Sequence, residues 1–249
     1  MDIGNYARKA WVKKPTELKV KLFADGADLA GMREMYAVPY IKGFTTNPTL
    51  MRKAGVASYE RFAREVLGVI PDRPISFEVF ADDAVEMERQ ARLISGWGPN
   101  VYVKIPVTNT RREPMTALVE RLSKDGVATN VTALMTLPQV ERIVRAVEGG
   151  APCCISVFAG RVADTGVDPV PIMREAVGIL QRAPNTELIW ASPRELLNIY
   201  QADEIGCHII TVTNDILKKL NLVGKDLEEY SLETVRMFFE DGAAAGFRL

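Results

Sequence analysis

A lysine set among apolar residues is the first feature of this 249-residue chain that could carry chemistry. Lys104 lies in the run NVYVKIPV, between Val103 and the pair Ile105 and Pro106. An ammonium is expensive to bury in such a setting unless it is paired or neutral. An amine that sheds its proton through desolvation attacks carbonyl carbons. Other apolar runs also carry or end on polar residues. Asp25 closes LKVKLFA, Asn47 follows IKGFTT, and Glu78 lies within ISFEVF. Asn130 and Thr132 belong to GVATNVTAL, Ser156 to CCISVFA, and Ser192 follows TELIWA. Any one of these alone reads equally well as a cap for the next helix or a partner for a loop carbonyl. Recurrence at the same place in successive runs favours a shared site.

The runs that carry these residues read as β-strands, and with HIITVT they number eight. Helical spacing fills the gaps. Met115, Leu118, Val119 and Leu122 follow an i, i+3, i+4, i+7 pattern, as do Val140, Ile143, Val144 and Val147, and Met173, Ala176, Val177 and Leu180. Asp125-Gly126 and Gly149-Gly150 read as helix stops, and Ser192-Pro193 as a helix start with proline at the first helical position. Strands too apolar to show a face to water, alternating with helices, predict an α/β fold with an all-parallel sheet under helices. Eight units fit a closed (β/α)₈ TIM barrel better than an open sheet, with residues 1–249 as a single domain. The C-terminal strand ends of such a barrel converge on one mouth, which would gather the polar series. Residues 1–18 are expected to form an N-terminal extension, and residues 231–249 a C-terminal helix outside the barrel repeat. On that helix Leu232, Val235 and Phe239 form an apolar face that covers the barrel or packs on a neighbouring subunit.

Composition narrows the partners. The 31 basic and 32 acidic residues leave a net charge of -1, so no bulk positive field gathers nucleic acid or anionic lipid. The N-terminal MDIGNYARKAWVKK has no apolar core for a signal peptide, and the longest uncharged run, Gly149 to Gly160, is short of the ~20 residues a span needs. The expectation is a cytoplasmic protein with no membrane partner. Cys153, Cys154 and Cys207 form no CxxC pair, and the single histidine, His208, completes no zinc-ligand spacing. No metal and no cofactor are expected. The cysteines read as small buried side chains and His208 as a strand residue.

From Leu22 to about Leu220 the chain resembles the transaldolase family. LFADGAD is similar to that family's first-strand aspartate motif, GFTTNPTL to its Thr-Thr-Asn-Pro signature, and VYVKIPVT to the segment of its Schiff-base lysine. NVTALMTLPQ resembles its fifth-strand asparagine and threonine, ISVFAGR its serine-to-arginine phosphate segment, and ASPR its second phosphate segment. Each motif is weak alone; six in order, at barrel-unit spacing, are strong.

The resemblance implies roles. Lys104 would form a Schiff base with a ketose phosphate, Asp25 would act as general base, and Glu78 would move protons through a water held by Thr132. Asn47, with Thr46 in the same motif, Asn130 and Ser156 would hold the hydroxyls of a three-carbon dihydroxyacetone unit. Arg161, Ser192 and Arg194 would bind phosphate, helped by backbone N–H groups at the helix start after Ser192. Phe158 and Glu78 match the members that transfer the three-carbon unit to an acceptor aldehyde. The simple aldolases of the family that cleave fructose 6-phosphate carry a tyrosine and a glutamine there. Trp190 and Pro193 depart from the usual phosphate segment and are expected to reshape that end of the pocket. The implied partners are small sugar phosphates, and a homo-oligomer is open to a barrel of this kind.

Overall fold

The computed structural model describes residues 13–248. Eight strands form a closed parallel barrel in sequence order. They are β1 (Lys21–Asp25), β2 (Ile41–Thr45), β3 (Ile75–Glu78) and β4 (Val101–Pro106), then β5 (Thr129–Leu134), β6 (Cys153–Val157), β7 (Thr186–Trp190) and β8 (Ile209–Thr213). Seven fall within the runs read from the sequence, and β1 continues one residue past its run, to Asp25.

The helices of the first half are α1 (Leu29–Tyr36), α2 (Pro48–Lys53), α3 (Tyr59–Val69), α4 (Ala84–Ser95) and α5 (Thr116–Lys124). Those of the second half are α6 (Leu137–Val147), α7 (Ala159–Ala163), α8 (Pro169–Leu180), α9 (Leu197–Glu204), α10 (Asn214–Leu217) and α11 (Leu227–Ala244). On α6, the four residues picked out by spacing are buried against the sheet, and full burial of such side chains contributes roughly 1.5–3 kcal/mol each. Gly126 and Gly149 end their helices with positive φ, +83° and +71°, a conformation that glycine adopts without a steric penalty.

Two cores result. The larger lies between barrel and helices; the smaller, inside the barrel, is built from Phe23, Cys154, Ile189, Ala191 and Ile209, with Tyr102 and Phe158 against them. A Cβ on Gly43 would lie within 2.4 Å of the Phe23 ring, so this glycine lets an aromatic plug fill the barrel floor. The three cysteines are buried, and burial pushes the Cys153 thiol up to about 11 and the Cys207 thiol to about 12. His208 precedes β8 and accepts the Leu188 N–H on Nδ1 at 3.1 Å. It is a structural residue just outside the strand.

Three expectations need correction. No helix starts at Ser192-Pro193: Ser192 has φ +60°, in the left-handed region rather than the extended region of an N-cap. The Arg194 and Glu195 N–H groups donate to the Asn198 side chain at 2.8 and 3.1 Å, and α9 begins only at Leu197. The C-terminal helix spans Leu227–Ala244, starting before residue 231, and does not cover the barrel. Val235, Phe238 and Phe239 are 60, 66 and 76% exposed. Trp190 is fully buried in the outer core, because strand alternation turns it away from the barrel interior that Ile189 and Ala191 face. Of the N-terminal extension, residues 1–12 lie outside the described part. The remainder holds a short 3-10 turn at Pro15–Glu17 and is tied to the barrel by Asp203, which accepts from Lys13 Nζ at 2.5 Å and from the Lys19 and Val20 N–H groups at 2.6 and 3.1 Å.

No described helix is long and apolar enough to cross a membrane.

Candidate active site

The C-terminal strand ends surround a cavity of about 640 Å³, a volume suited to a small metabolite. Lys104 is the cation at its centre. Register places Glu78 beside it on β3 and Asn130 beside it on β5. Only 6% of the lysine is exposed; its Nζ donates to the Thr46 carbonyl at 2.9 Å and lies 3.3 Å from Glu78 Oε2. The ammonium is thus paired, which is what burying it demands.

Asp25 projects from the end of β1. Thr45 Oγ1 donates to its Oδ1 at 2.7 Å, and Asn47 Nδ2 lies 3.5 Å from its Oδ2. Thr211 makes a very short contact with the Thr45 hydroxyl; as Thr45 gives its proton to Asp25, Thr211 is the donor there. Burial raises the Asp25 carboxyl above its ordinary value, against the lowering effects of the Lys104 charge and the Thr45 bond. A carboxylate so placed is a stronger base than one in water.

Opposite, Ser156 Oγ donates to Asn130 Oδ1 at 2.7 Å, and Asn130 Nδ2 donates to Ser76 Oγ at 3.0 Å. This line of neutral groups crosses the barrel from β6 to β3. Thr132 Oγ1 is buried without a protein partner among the described residues, a cost few native hydroxyls bear. β5 is irregular there, with Ala133 at φ +64°. Phe158 caps α7 and lines the wall between the smaller core and the cavity.

The side of the mouth formed by α7 and the β7–α9 loop is cationic. Arg194 Nε donates to Asp164 Oδ1 at 2.8 Å, its Nη2 makes a very short bond to Asp164 Oδ2, and its Nη1 donates to Ser192 Oγ at 3.0 Å. The Arg194 guanidinium holds the Asp164 carboxyl below its ordinary value. Arg161 reaches the same side from α7. α7 can approach because residue 160 is glycine: a Cβ there would stand 1.5 Å from the Ser192 carbonyl oxygen.

The family model for transaldolase/fructose-6-phosphate aldolase matches residues 22–249. The chain belongs to this family. A probable transaldolase of Thermoanaerobacter sp. is 36% identical over 231 residues, covering 92% of this chain and 100% of the relative. One from Dehalococcoides mccartyi is 33% identical over 202 residues, covering 81% and 90%. Among solved structures, 3-hexulose-6-phosphate synthase from Salmonella typhimurium superposes with a TM-score of 0.55 at 15% identity, covering 81% of this chain and 91% of that one. Dihydrodipicolinate synthase from Rhodopseudomonas palustris gives 0.57 at 14% identity, covering 94% and 82%. At that distance they share the barrel.

Of the residues that the transaldolase-family motifs single out, all but Thr46 line the one cavity. The Thr46 hydroxyl donates to the Ser76 carbonyl at 2.9 Å, so only its backbone oxygen serves the site. Asn47 does two things: Oδ1 accepts the Leu50 N–H at 2.9 Å and caps α2, which leaves Nδ2 for the cavity. Pro193 lines the mouth and Trp190 does not, so only the proline bears on the pocket end. The backbone donors expected beyond Ser192 are spent on Asn198. Thr211, Ser76 and Asp164 lie outside the polar series read from the sequence, and Thr45, the first residue of the Thr-Thr-Asn-Pro signature, was given no role there. Thr45 lies inside the GFTTNPTL motif and Thr211 within the last strand run, which were the available signals; Asp164 had none.

Proposed function

We propose that this transaldolase-family chain transfers a dihydroxyacetone unit from a ketose phosphate to an aldose phosphate through a Schiff base on Lys104. The observation that carries the reading is a buried lysine amine held between a carbonyl and Glu78, with a second carboxylate, Asp25, across the same cavity. The amine adds to the ketose carbonyl, and loss of water gives an iminium. Asp25 takes the proton of the hydroxyl on the far side of the C–C bond. That bond breaks, its electron pair enters the iminium as an enamine, and an aldose phosphate leaves. The enamine then attacks the acceptor aldehyde, Asp25 returns the proton, and water releases the new ketose. Glu78 moves protons for the addition and loss of water, with Thr132, whose buried hydroxyl has no partner among the described residues, holding that water. Asn47, Asn130 and Ser156 hold the hydroxyls of the waiting three-carbon unit. Arg161, Ser192 and Arg194 receive the phosphate by side chain alone.

Phe158 supports transfer over simple cleavage, since a phenyl ring cannot donate the proton that would release free dihydroxyacetone. The same reading places the reaction in the cytoplasm and lets chains associate through the uncovered apolar face of α11, which sedimentation of the full chain tests. The deciding assay follows glyceraldehyde 3-phosphate released from fructose 6-phosphate, with and without erythrose 4-phosphate. Release that depends on the acceptor, and that falls steeply but stays measurable in Glu78→Gln, is expected. Release without acceptor would make the chain an aldolase, and none in either case would remove this substrate pair.

A further inference from the structure

The ladder between β2 and β3 stops one rung short of Glu78. Phe44 N–H donates to the Pro74 carbonyl at 2.8 Å and Thr46 N–H to the Ser76 carbonyl at 3.3 Å. In a parallel pair the alternation would next send Glu78 N–H to the Thr46 carbonyl, and the N–H of residue 48 to the Glu78 carbonyl. The strand register ends instead at Thr45 and Ser76. Residue 48 is proline and has no N–H to give. The Thr46 carbonyl receives Lys104 Nζ.

Both orphaned groups of Glu78 meet one phenol. Tyr59, at the start of α3, accepts the Glu78 N–H on its hydroxyl at 2.6 Å and donates to the Glu78 carbonyl at 2.9 Å. A neutral phenol suits this task, with one proton to give and lone pairs to receive, and burial raises the Tyr59 hydroxyl above its ordinary value so that it stays protonated. The ring is held by Phe80 at 4.5 Å, Trp97 at 5.4 Å and Phe77 at 6.1 Å between centroids.

We propose that Tyr59 is a positioning residue for the Lys104–Glu78 pair: its hydroxyl wedges the β2–β3 seam open, fixes the Glu78 peptide and leaves the Thr46 carbonyl free to hold the lysine amine. The proposal rests on the roles given above to Lys104 and Glu78. Without the hydroxyl, the Glu78 N–H is left unpaired or closes onto the Thr46 carbonyl and competes with Lys104; either way the carboxylate shifts against the amine.

Tyr59→Phe removes the hydroxyl and keeps the ring in its aromatic cluster. The expected result is a kcat for transfer lowered about tenfold or more, a KM for fructose 6-phosphate changed less than about twofold, and a protein still folded at the assay temperature. In a Glu78→Gln background the same substitution should cost only about twofold, because the two act through one pair. A second arm needs no sugar: carbamylation of Lys104 by cyanate at fixed pH, read by peptide mass, should change about threefold or more in Tyr59→Phe. Native values for both kcat and the cyanate rate would overturn the proposal, as would a loss equally large in both backgrounds. Absence of transfer by the native chain would instead overturn the assignment of function, and the cyanate rates would then decide on Tyr59 alone.

Discussion

Gly160→Ala isolates the phosphate side of the cavity from its chemistry. The added Cβ would stand 1.5 Å from the Ser192 carbonyl oxygen and 2.7 Å from its carbon, so reaching even a 3.0 Å contact requires the Ser192 peptide to retreat by about 1.5 Å. That peptide cannot move alone. Ser192 is in the left-handed region, and Arg194, two residues on, is forked onto Asp164. Overpacking of this kind costs about 1–3 kcal/mol, partly offset by up to about 1 kcal/mol of alanine's helix preference over glycine on α7. The net cost of up to about 3 kcal/mol lowers Tm by up to roughly 12 °C for a chain of this size. For function the displacement matters more, since a misplacement of about 1 Å is enough to cost on the order of 10²-fold. With fructose 6-phosphate and erythrose 4-phosphate in the coupled assay, kcat/KM should fall by about that factor, mainly through KM. Borohydride trapping of unphosphorylated dihydroxyacetone on Lys104 should keep its native rate. An unchanged KM and Tm would refute the close approach of α7 to Ser192, and an equal loss of dihydroxyacetone trapping would refute the separation of phosphate side from amine.

Lys104→Met keeps the apolar stem and removes the amine; a folded variant with no borohydride-trapped adduct and no turnover is expected, and retained turnover would remove the Schiff base. Asp25→Asn tests the sign of burial: because the folded carboxyl is raised, its ionisation costs stability once the pH rises above the ordinary carboxylate value, and the full penalty is in place above the folded value. The variant should therefore melt above the native chain at pH 7, lose that advantage as the pH falls from the raised folded value to the ordinary carboxylate value, and be inactive throughout; a lower Tm at neutral pH would contradict it. Thr45→Val removes the 2.7 Å donor to Asp25 and should move the acid limb of kcat to higher pH, because that bond favours the ionised form. Asp203→Ala strips the Lys19 and Val20 N–H groups of their acceptor, costing about 2–3 kcal/mol; calorimetry should show a Tm lower by roughly 5–10 °C with kcat unchanged.

The barrel was legible because apolar runs and 3.6-residue spacing act locally and repeat eight times. The polar series was legible for the same reason, since parallel strands bring their C-terminal ends to one mouth. Departures from local rules were not. Ser192-Pro193 carries a helix-start signature, but close packing of Gly160 against the Ser192 carbonyl accompanies a left-handed turn that no dipeptide preference reveals. Asp164 sits among ordinary helix-end residues, and only the folded chain brings it to Arg194, thirty positions on. Trp190 was misplaced by one step of strand alternation, which exchanges cavity for core. The apolar residues of α11 were found, but what they face is not a local property.

The segment Thr45-Thr46-Asn47-Pro48 shows why a site residue cannot be told from a structural one by type alone. Thr45 gives its hydroxyl proton to Asp25. Thr46 turns its hydroxyl to Ser76 and offers the site only a carbonyl, the group a sequence displays least. Asn47 divides its amide, oxygen to the cap of α2 and nitrogen toward Asp25. Pro48 has no N–H to give the Glu78 carbonyl, so the β2–β3 ladder cannot run on past Glu78. Thr46 and Asn47 each make a bond that folding needs, and the same bond leaves another atom of the residue to the cavity. Capping and catalysis are therefore not competing accounts of Asn47; the cap fixes the rotamer that aims its nitrogen, and a side chain locked in this way loses less freedom when a substrate arrives.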